Sequence, residues 1–207
     1  GESVPAYTIN KACGSSLKAI TNAYGAIALG DADAVIAGGT EAMSRTPYLL
    51  LEARWGMKLG HGEVVDGMYR DGFLCPLCEQ LMGETAENLV DRYGITRAES
   101  DRYAAATQQR CETARKEGRF AGEIVPVEVT NPHVGALVGV DETPRRDTSA
   151  EALAALQPAF LPDGKVTAGN SSQICDGAAA VLIASESAAS RLGLEPRARF
   201  LDEASNH

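Results

Sequence analysis

Cys13 is the residue in this sequence whose setting is best suited to covalent chemistry. It lies between an extended run at residues 4–9 and an apolar pattern at helical spacing that continues to Gly30. The sequence therefore predicts a helix that begins just after Cys13. Backbone N–H groups and the positive end of the helix dipole favour a nucleophilic thiolate there. A free cysteine is also often a small buried apolar residue, so this pattern alone leaves both interpretations open.

The residues around Cys13 resemble an enzyme motif. The string Asn10-x-x-Cys13-Gly-Ser-Ser-Leu-x-Ala-Ile20 is similar to the nucleophile motif of the thiolases, which make or cleave 3-ketoacyl-coenzyme A (CoA). Further strings look like thiolase elements and occur in the family's order: Ala37-Gly-Gly-x-Glu-x-Met-Ser44, Met82-Gly-x-Thr-Ala-Glu-Asn88, Gly118-x-Phe-x-x-Glu-Ile124, Asp141-Glu-x-x-x-Arg146, Leu156-x-Pro-Ala-Phe160 and Thr167-Ala-Gly-Asn-x-Ser172-x-x-x-Asp-Gly-Ala-Ala-Ala180. The resemblance covers nearly the whole chain and implies that Cys13 becomes acylated during the reaction.

The resemblance also implies a binding site for CoA and acyl-CoA as substrates, with no permanently bound cofactor and no metal. CoA requires a cation for its phosphates and an apolar channel with a few hydrogen-bonding groups for its pantetheine arm. By resemblance, Arg145 contacts the nucleotide end, Ser172 lies beside the pantetheine amides, and Met82 and Phe160 line the channel. Without the family resemblance, the sequence predicts that Met82 and Phe160 are ordinary core residues and that Arg145 is a solvated side chain.

The sequence also departs from the family. The Asn-Glu-x, Gly-His-Pro and Cys-x-Gly-Gly strings, which supply the activating histidine and a second, proton-transferring cysteine, do not occur in it. His61, His133 and His207 match none of them and are predicted to be solvated, and Leu81 occupies a position where short-chain members often carry histidine. We therefore interpret the chain as a central thiolase segment that is inactive alone. The alternative is a non-catalytic CoA-binding fragment or a degraded copy.

The elements that position these residues predict an α/β fold. Residues 4–9, the helix after Cys13 and residues 33–37 form a strand–helix–strand pattern, which predicts a βαβ unit in a parallel sheet. Gly38-Gly39 is predicted to be a tight turn. Strand patterns resume at residues 165–168 and at 176–184, the latter a continuous apolar run typical of a buried central strand. Ser185 is predicted to cap a helix that ends at Gly193, and residues 198–201 to form a last strand.

The middle of the chain has a different pattern, mainly helical. After an irregular stretch, residues 82–93 predict a helix that stops at Gly94, and Thr96-x-x-Glu99 is a capping box for a longer helix. A strand is predicted at 124–129, a loop at 131–140, and a second capping box at Thr148-x-x-Glu151. We assign residues 1–46 and 163–207 to parts of a thiolase N-terminal α/β domain, and 47–162 to an inserted loop domain.

Composition and charge restrict the function classes. Hydrophobic residues make up 44% of the chain and charged residues 23%, and the formal net charge is −9. This acidity argues against nucleic acid and anionic membranes as partners, and no apolar run reaches membrane-spanning length. Five scattered cysteines indicate a reducing compartment, so we expect a cytoplasmic protein. The family resemblance further implies a homo-oligomer, either a dimer or a tetramer.

Two rival enzyme or metal-site interpretations depend on cysteine strings. Cys75-Pro-Leu-Cys78 has the C-x-x-C spacing of zinc and redox sites, but a closed zinc site needs four ligands and no second pair matches. A thioredoxin-like motif would follow a strand and open a helix. A ketoacyl synthase usually carries Ala-Cys-Ser-Ser at its nucleophile and lacks the long insertion. Cys175 is predicted to be a buried structural thiol, and the alternative is a position near the site, since it lies beside the Asn170-x-Ser172 string.

Overall fold

Helices and mostly short strands make up the two units of the described chain. The computed structural model describes residues 3–129 and 137–204. The described helices are α1 (Ser15–Leu29), α2 (Met82–Tyr93), α3 (Arg97–Lys116), α4 (Ala150–Ala154) and α5 (Glu186–Arg191). The described strands are β1 (Ala34–Ala42), β2 (Tyr48–Leu49), β3 (Val65–Asp66), β4 (Leu74–Cys75), β5 (Gln80–Leu81), β6 (Val127–Glu128), β7 (Leu137–Val138) and β8 (Asp176–Ala184).

The chain divides into two units. One unit, called the first, comprises Gly1–Thr46 and Cys175–His207, and the second comprises Pro47–Ile174. Among the described helices, none combines the length and apolar character that a bilayer crossing requires.

A two-stranded sheet and helix α1 organise the first unit. Strand β1 pairs with β8 in antiparallel fashion along its whole length, from Ala34 opposite Ala184 to Ala42 opposite Asp176. Helix α1 packs on β1, and its Ala23 is 3% exposed. Gly30 ends α1 in the left-handed conformation, with φ of 80°, as the sequence predicted. Ser185 accepts the Ala188 N–H at 3.1 Å and caps α5, which confirms the predicted cap.

The glycine pair lies inside β1, so the prediction of a tight turn there is wrong. A β-carbon on Gly38 would collide with the Ala179 carbonyl oxygen of β8. A β-carbon on Gly39 would collide with the Ser16 hydroxyl oxygen of α1. The two glycines therefore permit close approach of the partner strand and of helix α1 to β1.

The predicted parallel sheet is also wrong for the described residues. Residues 4–9, 165–168 and 198–201 form no strand, and the β1–β8 pair is antiparallel. Strand β8 is exposed from Asp176 to Leu182 instead of being a buried central strand. A continuous apolar run is typical of a strand whose two faces are both buried. It does not determine which segment pairs with the strand or covers it.

Helices α2, α3 and α4 dominate the second unit. The Thr96 capping box is confirmed, because the Glu99 N–H donates to the Thr96 hydroxyl at 3.2 Å and the Glu99 carboxylate accepts the Thr96 N–H at 2.8 Å. The second predicted box is wrong by one residue, since Ser149 caps α4 by accepting the Ala152 N–H at 3.1 Å. The strand predicted at 124–129 is confirmed only over Val127–Glu128, as β6. It pairs with β7, which lies within the stretch predicted to be a loop. The rest of that loop, residues 131–136, lies outside the described residues.

Residues 163–174 belong to the second unit, whereas the sequence pattern had assigned them to the first. Glu87 of α2, 3% exposed, accepts the Lys165 N–H at 2.8 Å and the Val166 N–H at 2.7 Å. The Asn170 side chain donates to the carboxylate of Asp101 in α3 at 3.0 Å. These bonds tie the segment to α2 and α3, which explains its membership of the second unit.

Candidate active site

Cys13 lies in a hydrogen-bonded turn immediately before helix α1. The Asn10 side-chain oxygen accepts the Ala12 N–H at 3.0 Å, and the Lys11 carbonyl accepts the Gly14 N–H at 3.0 Å. Ser15, the first helical residue, accepts the Lys11 N–H at 2.8 Å and donates its hydroxyl to the Ala12 carbonyl at 2.7 Å. Side chains on both sides of Cys13 therefore fix the turn that presents it.

The backbone of this turn adopts a conformation that residues with a side chain rarely occupy. Ala12 has φ of +46°, in the left-handed region. Such outliers cost about 1–3 kcal/mol and persist where surrounding bonds enforce them, often at functional sites. The bonds from Asn10 and Ser15 are those enforcing contacts. The left-handed residue produces a sharp change of chain direction just before Cys13.

The Cys13 side chain is exposed, and helix α1 begins two residues later. The interpretation of Cys13 as a buried apolar residue therefore does not describe this chain. The positive end of the α1 dipole lies beside the thiol, and the first-turn N–H groups of a helix can stabilise negative charge. An exposed sulfur at a helix N-terminus can attack an electrophilic carbonyl carbon and receive stabilisation as charge develops nearby.

Two strings that carry the family resemblance meet in the first unit. The Asp176 carboxylate accepts the Ser44 N–H at 2.9 Å and the Ser44 hydroxyl at 2.5 Å. The hydroxyl bond, followed by the N–H bond, holds the pKa of Asp176 below its ordinary value. Cys175 donates its N–H to the Met43 sulfur at 3.3 Å, and its side chain is exposed. The prediction of Cys175 as a buried structural thiol is therefore wrong, because its neighbours hold its backbone and leave the sulfur outside.

All four predicted CoA-binding residues belong to the second unit, whereas Cys13 belongs to the first. Met82 is the first residue of α2 and is 42% exposed. Phe160 is 36% exposed, and its ring occupies the space where a β-carbon of Gly83 would lie. Because Gly83 follows Met82 directly, the two predicted channel residues lie at the same helix end. Both expose apolar surface, unlike fully buried core residues.

Ser172 is exposed and follows a turn fixed by buried polar groups. Asn170 accepts the Thr167 N–H at 2.8 Å, and the Ser171 hydroxyl donates to the Thr167 carbonyl at 2.7 Å. Thr167 is fully buried. The turn that leads to Ser172 is therefore anchored, while Ser172 itself faces solvent.

The sequence did not reveal the buried carboxylates that hold this turn. Glu87 and Asp101 are each 3% exposed, and Arg97 pairs with Asp101 at 2.7 Å while it also donates to the Leu153 and Leu156 carbonyls. One signal was available. Gly83, Glu87 and Val90 are the buried residues of α2, and their spacing of four and three is that of an apolar helix face. A glutamate at the centre of such a face indicates a buried polar partner.

Arg145 is exposed, and its neighbour Arg146 is engaged in an ion pair. The Arg145 N–H donates to the Gln108 side chain at 2.9 Å, which fixes the backbone at this position. Arg146 lies 3.6 Å from Glu112, whereas Arg145 has no ion pair with any described residue. The guanidinium of Arg145 can therefore bind an added anion without breaking a pair within the described part of the chain.

His61 is the one histidine among residues 3–129 and 137–204. His61 is exposed in the second unit, and His133 and His207 lie outside the described residues. Leu81 forms part of β5, directly before Met82. Across residues 3–129 and 137–204, no group of three or more His, Cys, Asp and Glu side chains is arranged to hold a metal ion.

The comparisons with known proteins agree with the strings around Cys13. The family model described as "Thiolase, N-terminal domain" matches residues 1–187. The acetyl-CoA acetyltransferase of Allochromatium vinosum is 50% identical over 204 residues, which are 98% of this chain and 52% of that protein. The structure of the Bacillus anthracis acetyl-CoA acetyltransferase superposes with a TM-score of 0.88 at 43% identity, covering 95% of this chain and 50% of that one.

A human relative extends the comparison to a CoA complex. The human mitochondrial 3-ketoacyl-CoA thiolase, solved in complex with CoA, superposes with a TM-score of 0.87 at 40% identity over 95% of this chain and 49% of that one. The chain thus spans about half the length of the relatives it matches. These neighbours confirm the predicted α/β fold class, although the described strands pair antiparallel. By its motifs, its fold and the family model that covers most of its length, the chain belongs to the thiolase family, and its residues 1–187 match the N-terminal domain of that family.

Proposed function

We propose that this chain, as part of a protein as long as its relatives, belongs to an active thiolase. It cleaves or forms 3-ketoacyl-CoA through an acyl-enzyme on Cys13. The observation that carries the proposal is the exposed Cys13 thiol in an enforced turn at the N-terminus of α1. A buried sulfur could not reach a carbonyl carbon presented from outside.

In the cleavage direction the Cys13 sulfur attacks the 3-keto carbon of the substrate. The bond between carbons 2 and 3 breaks, its electron pair takes up a proton at carbon 2, and acetyl-CoA leaves. The shortened acyl group remains on Cys13 as a thioester. The thiol of a second CoA then attacks this thioester, regenerates the cysteine and releases a shortened acyl-CoA. The histidine and second cysteine strings of the family do not occur in this sequence. We assign the proton transfers of these residues to the part of the full-length protein that corresponds to the half of the relatives outside this match.

We propose that CoA binds to residues of the second unit. Arg145 binds its phosphates, Met82 and Phe160 contact the pantetheine arm, and Ser172 bonds to its amides. Support comes from the exposure of all four side chains and from the absence of any ion pair at Arg145 among the described residues. The human relative solved in complex with CoA is consistent with this assignment.

The proposal is tested by trapping the acyl-enzyme on the full-length protein. After incubation with acetyl-CoA and rapid denaturation, digestion and mass spectrometry should locate an acetyl group on Cys13. Cys13→Ala should abolish it, while Cys111→Ala, a matched change of a half-buried cysteine on α3, should leave it unchanged. The 207-residue chain alone should show no turnover, because losing members of a catalytic unit typically costs several orders of magnitude. Acylation of another cysteine, or CoA binding without any acyl-enzyme, would contradict the catalytic role and favour a CoA-binding fragment.

The proposal extends to assembly and location. We propose a homo-oligomer, a dimer or tetramer, in the cytoplasm. Exposed apolar side chains support association, since Ile36 of β1 is 77% exposed and Val181 and Leu182 of β8 are 47% and 51% exposed. The odd number and irregular spacing of the five cysteines support a reducing compartment. Light scattering of the full-length protein tests the assembly, and a monomer would contradict it.

A further inference from the structure

A pair of thiols, Cys75 and Cys78, lies on the hairpin that joins β4 to β5. Cys75 is the last residue of β4 and pairs with Gln80 of β5. The Cys75 carbonyl accepts the Glu79 N–H at 2.9 Å, which closes a single helix-like turn over the intervening residues. Glu79 then reverses the chain into β5 with φ of +56°. Both sulfurs are free, and Cys75 is half-buried while Cys78 is exposed.

This turn brings the β-carbons of the two cysteines near the spacing that a disulfide requires. Residues three apart on a helical turn share one face, with β-carbons about 5–6 Å apart. A disulfide requires a separation of about 3.5–4.5 Å, so a tightening of roughly 1–2 Å suffices. Only the side chains and the turn between them have to move.

The hydrogen bonds at the pair make the two thiols unequal. The Leu77 N–H, followed by the Cys78 N–H and the Cys78 thiol, donates to the Cys75 sulfur and lowers the pKa of Cys75. The hydrogen bond that the Cys78 thiol donates to the Cys75 sulfur raises the pKa of Cys78. Cys75 is therefore the better thiolate, and Cys78 holds a proton within reach of it. A nucleophilic and a resolving cysteine have this division of roles.

We propose that Cys75 and Cys78 form a reversible dithiol–disulfide site that reacts with low-molecular-weight disulfides. The Cys75 thiolate attacks one sulfur of such a disulfide, a mixed disulfide forms on Cys75, and the first small thiolate leaves. Cys78 then loses its proton to solvent and attacks the Cys75 sulfur, which releases the second small thiolate. The protein dithiol is oxidised by two electrons, and the small disulfide is reduced to two thiols.

A metal site is the competing use of the same pair. A closed zinc site needs four ligands. Within the described residues, the pair has no third Cys, His, Asp or Glu positioned to join it in a metal site. The hairpin also differs from a thioredoxin-like placement, in which the pair opens a helix, because here both cysteines precede β5 and helix α2 begins after it. The proposed dithiol site therefore consists of the two cysteines of the β4–β5 hairpin turn, without a metal ligand or a helix N-terminus among the described residues.

Oxidised glutathione is the probe for the test. The full chain, freshly reduced and freed of reductant, is exposed to it, quenched with acid, alkylated and digested for mass spectrometry. We expect a Cys75–Cys78 bridge within one peptide, with both thiols recovered after dithiothreitol treatment. Cys78→Ser should accumulate a stable glutathione adduct on Cys75, because the resolving thiol is missing. In Cys75→Ser, the adduct on Cys78 should form several-fold more slowly.

Cys111→Ser is the matched control, since it removes a half-buried thiol of helix α3 and should leave bridge formation unchanged. Circular dichroism checks that each variant is folded, and the wild-type peptide map requires no variant at all. The proposal is overturned if wild-type protein carries glutathione on both cysteines without a bridge, or if either is joined to a different cysteine. If glutathione adducts form at equal rates on Cys75 and Cys78 in the two single variants, the assignment of Cys75 as the attacking thiol and Cys78 as the resolving thiol is wrong.

Discussion

Replacing the buried Glu87 by alanine should destabilise the second unit strongly. The Glu87 carboxylate accepts the Lys165 N–H at 2.8 and 3.0 Å, through its two oxygens, and the Val166 N–H at 2.7 Å. Val166 is 8% exposed and Thr167 is fully buried, so water has little access to this part of the backbone. Glu87→Ala leaves two backbone donors without their acceptor.

The size of the effect follows from those two donors. A buried N–H group without a partner costs about 1–3 kcal/mol. Because Lys165 is only half-buried and water can reach it, we expect a total of about 2–4 kcal/mol. With a urea dependence of about 2 kcal/mol/M, the unfolding midpoint should fall by roughly 1–2 M. Glu87→Gln keeps one acceptor oxygen and should cost about half as much.

Urea unfolding followed by circular dichroism measures the midpoint. Amide hydrogen exchange followed by NMR measures the protection of the Lys165 and Val166 N–H groups directly. Glu117→Ala is the matched control, because that glutamate forms a surface ion pair with Arg119 at 2.6 Å and should change stability by less than about 0.5 kcal/mol. The reasoning is refuted if Glu87→Ala and Glu117→Ala shift the midpoint equally, or if the Val166 amide keeps its protection in Glu87→Ala.

Two further predictions concern charged groups of the second unit. The hydrogen bond from Arg115 holds the pKa of Glu112 at about 2, below its ordinary 4.5. The stability it contributes is therefore present above pH 4.5 and lost as the pH falls toward about 2. Unfolding midpoints of Glu112→Gln should fall less steeply than those of wild type across this interval, and parallel curves would contradict the assignment. Arg145→Ala should weaken CoA binding by the full-length protein, measured calorimetrically, and Arg145→Lys should restore only part because lysine lacks the bidentate fork. Arg146→Ala is the control with a small expected effect, and unchanged CoA affinity in Arg145→Ala would exclude Arg145 from the site.

The sequence was sufficient for the local features of the fold. Gly30 and Gly94 end helices α1 and α2, and Thr96 and Ser185 cap α3 and α5, as predicted. These signals depend on backbone groups within a few residues of the cap, so they are readable without knowledge of distant partners. The same holds for Cys13, whose place before α1 follows from the apolar spacing of the helix.

Strand pairing was not readable in this way. The Gly38-Gly39 string is locally compatible with a turn, yet it lies in a strand because Ala179 and Ser16 approach too closely for a β-carbon. Residues 165–168 have strand-like content but are held as a loop by the Glu87 carboxylate. In both cases a contact between residues far apart in the sequence decides the conformation, and local propensity is the weaker effect.

For the candidate site, the sequence by itself indicated Cys13 as the candidate nucleophile, its position at a helix N-terminus and the family to which the chain belongs. Only the tertiary structure decided that the sulfur is exposed, that Ala12 turns through a left-handed conformation to present it, and that buried carboxylates anchor the turn before Ser172. Residue types and spacings specify which chemistry is available. Exposure, backbone strain and satisfaction of buried polar groups depend on which segments pack together, and that packing is a property of the folded chain as a whole.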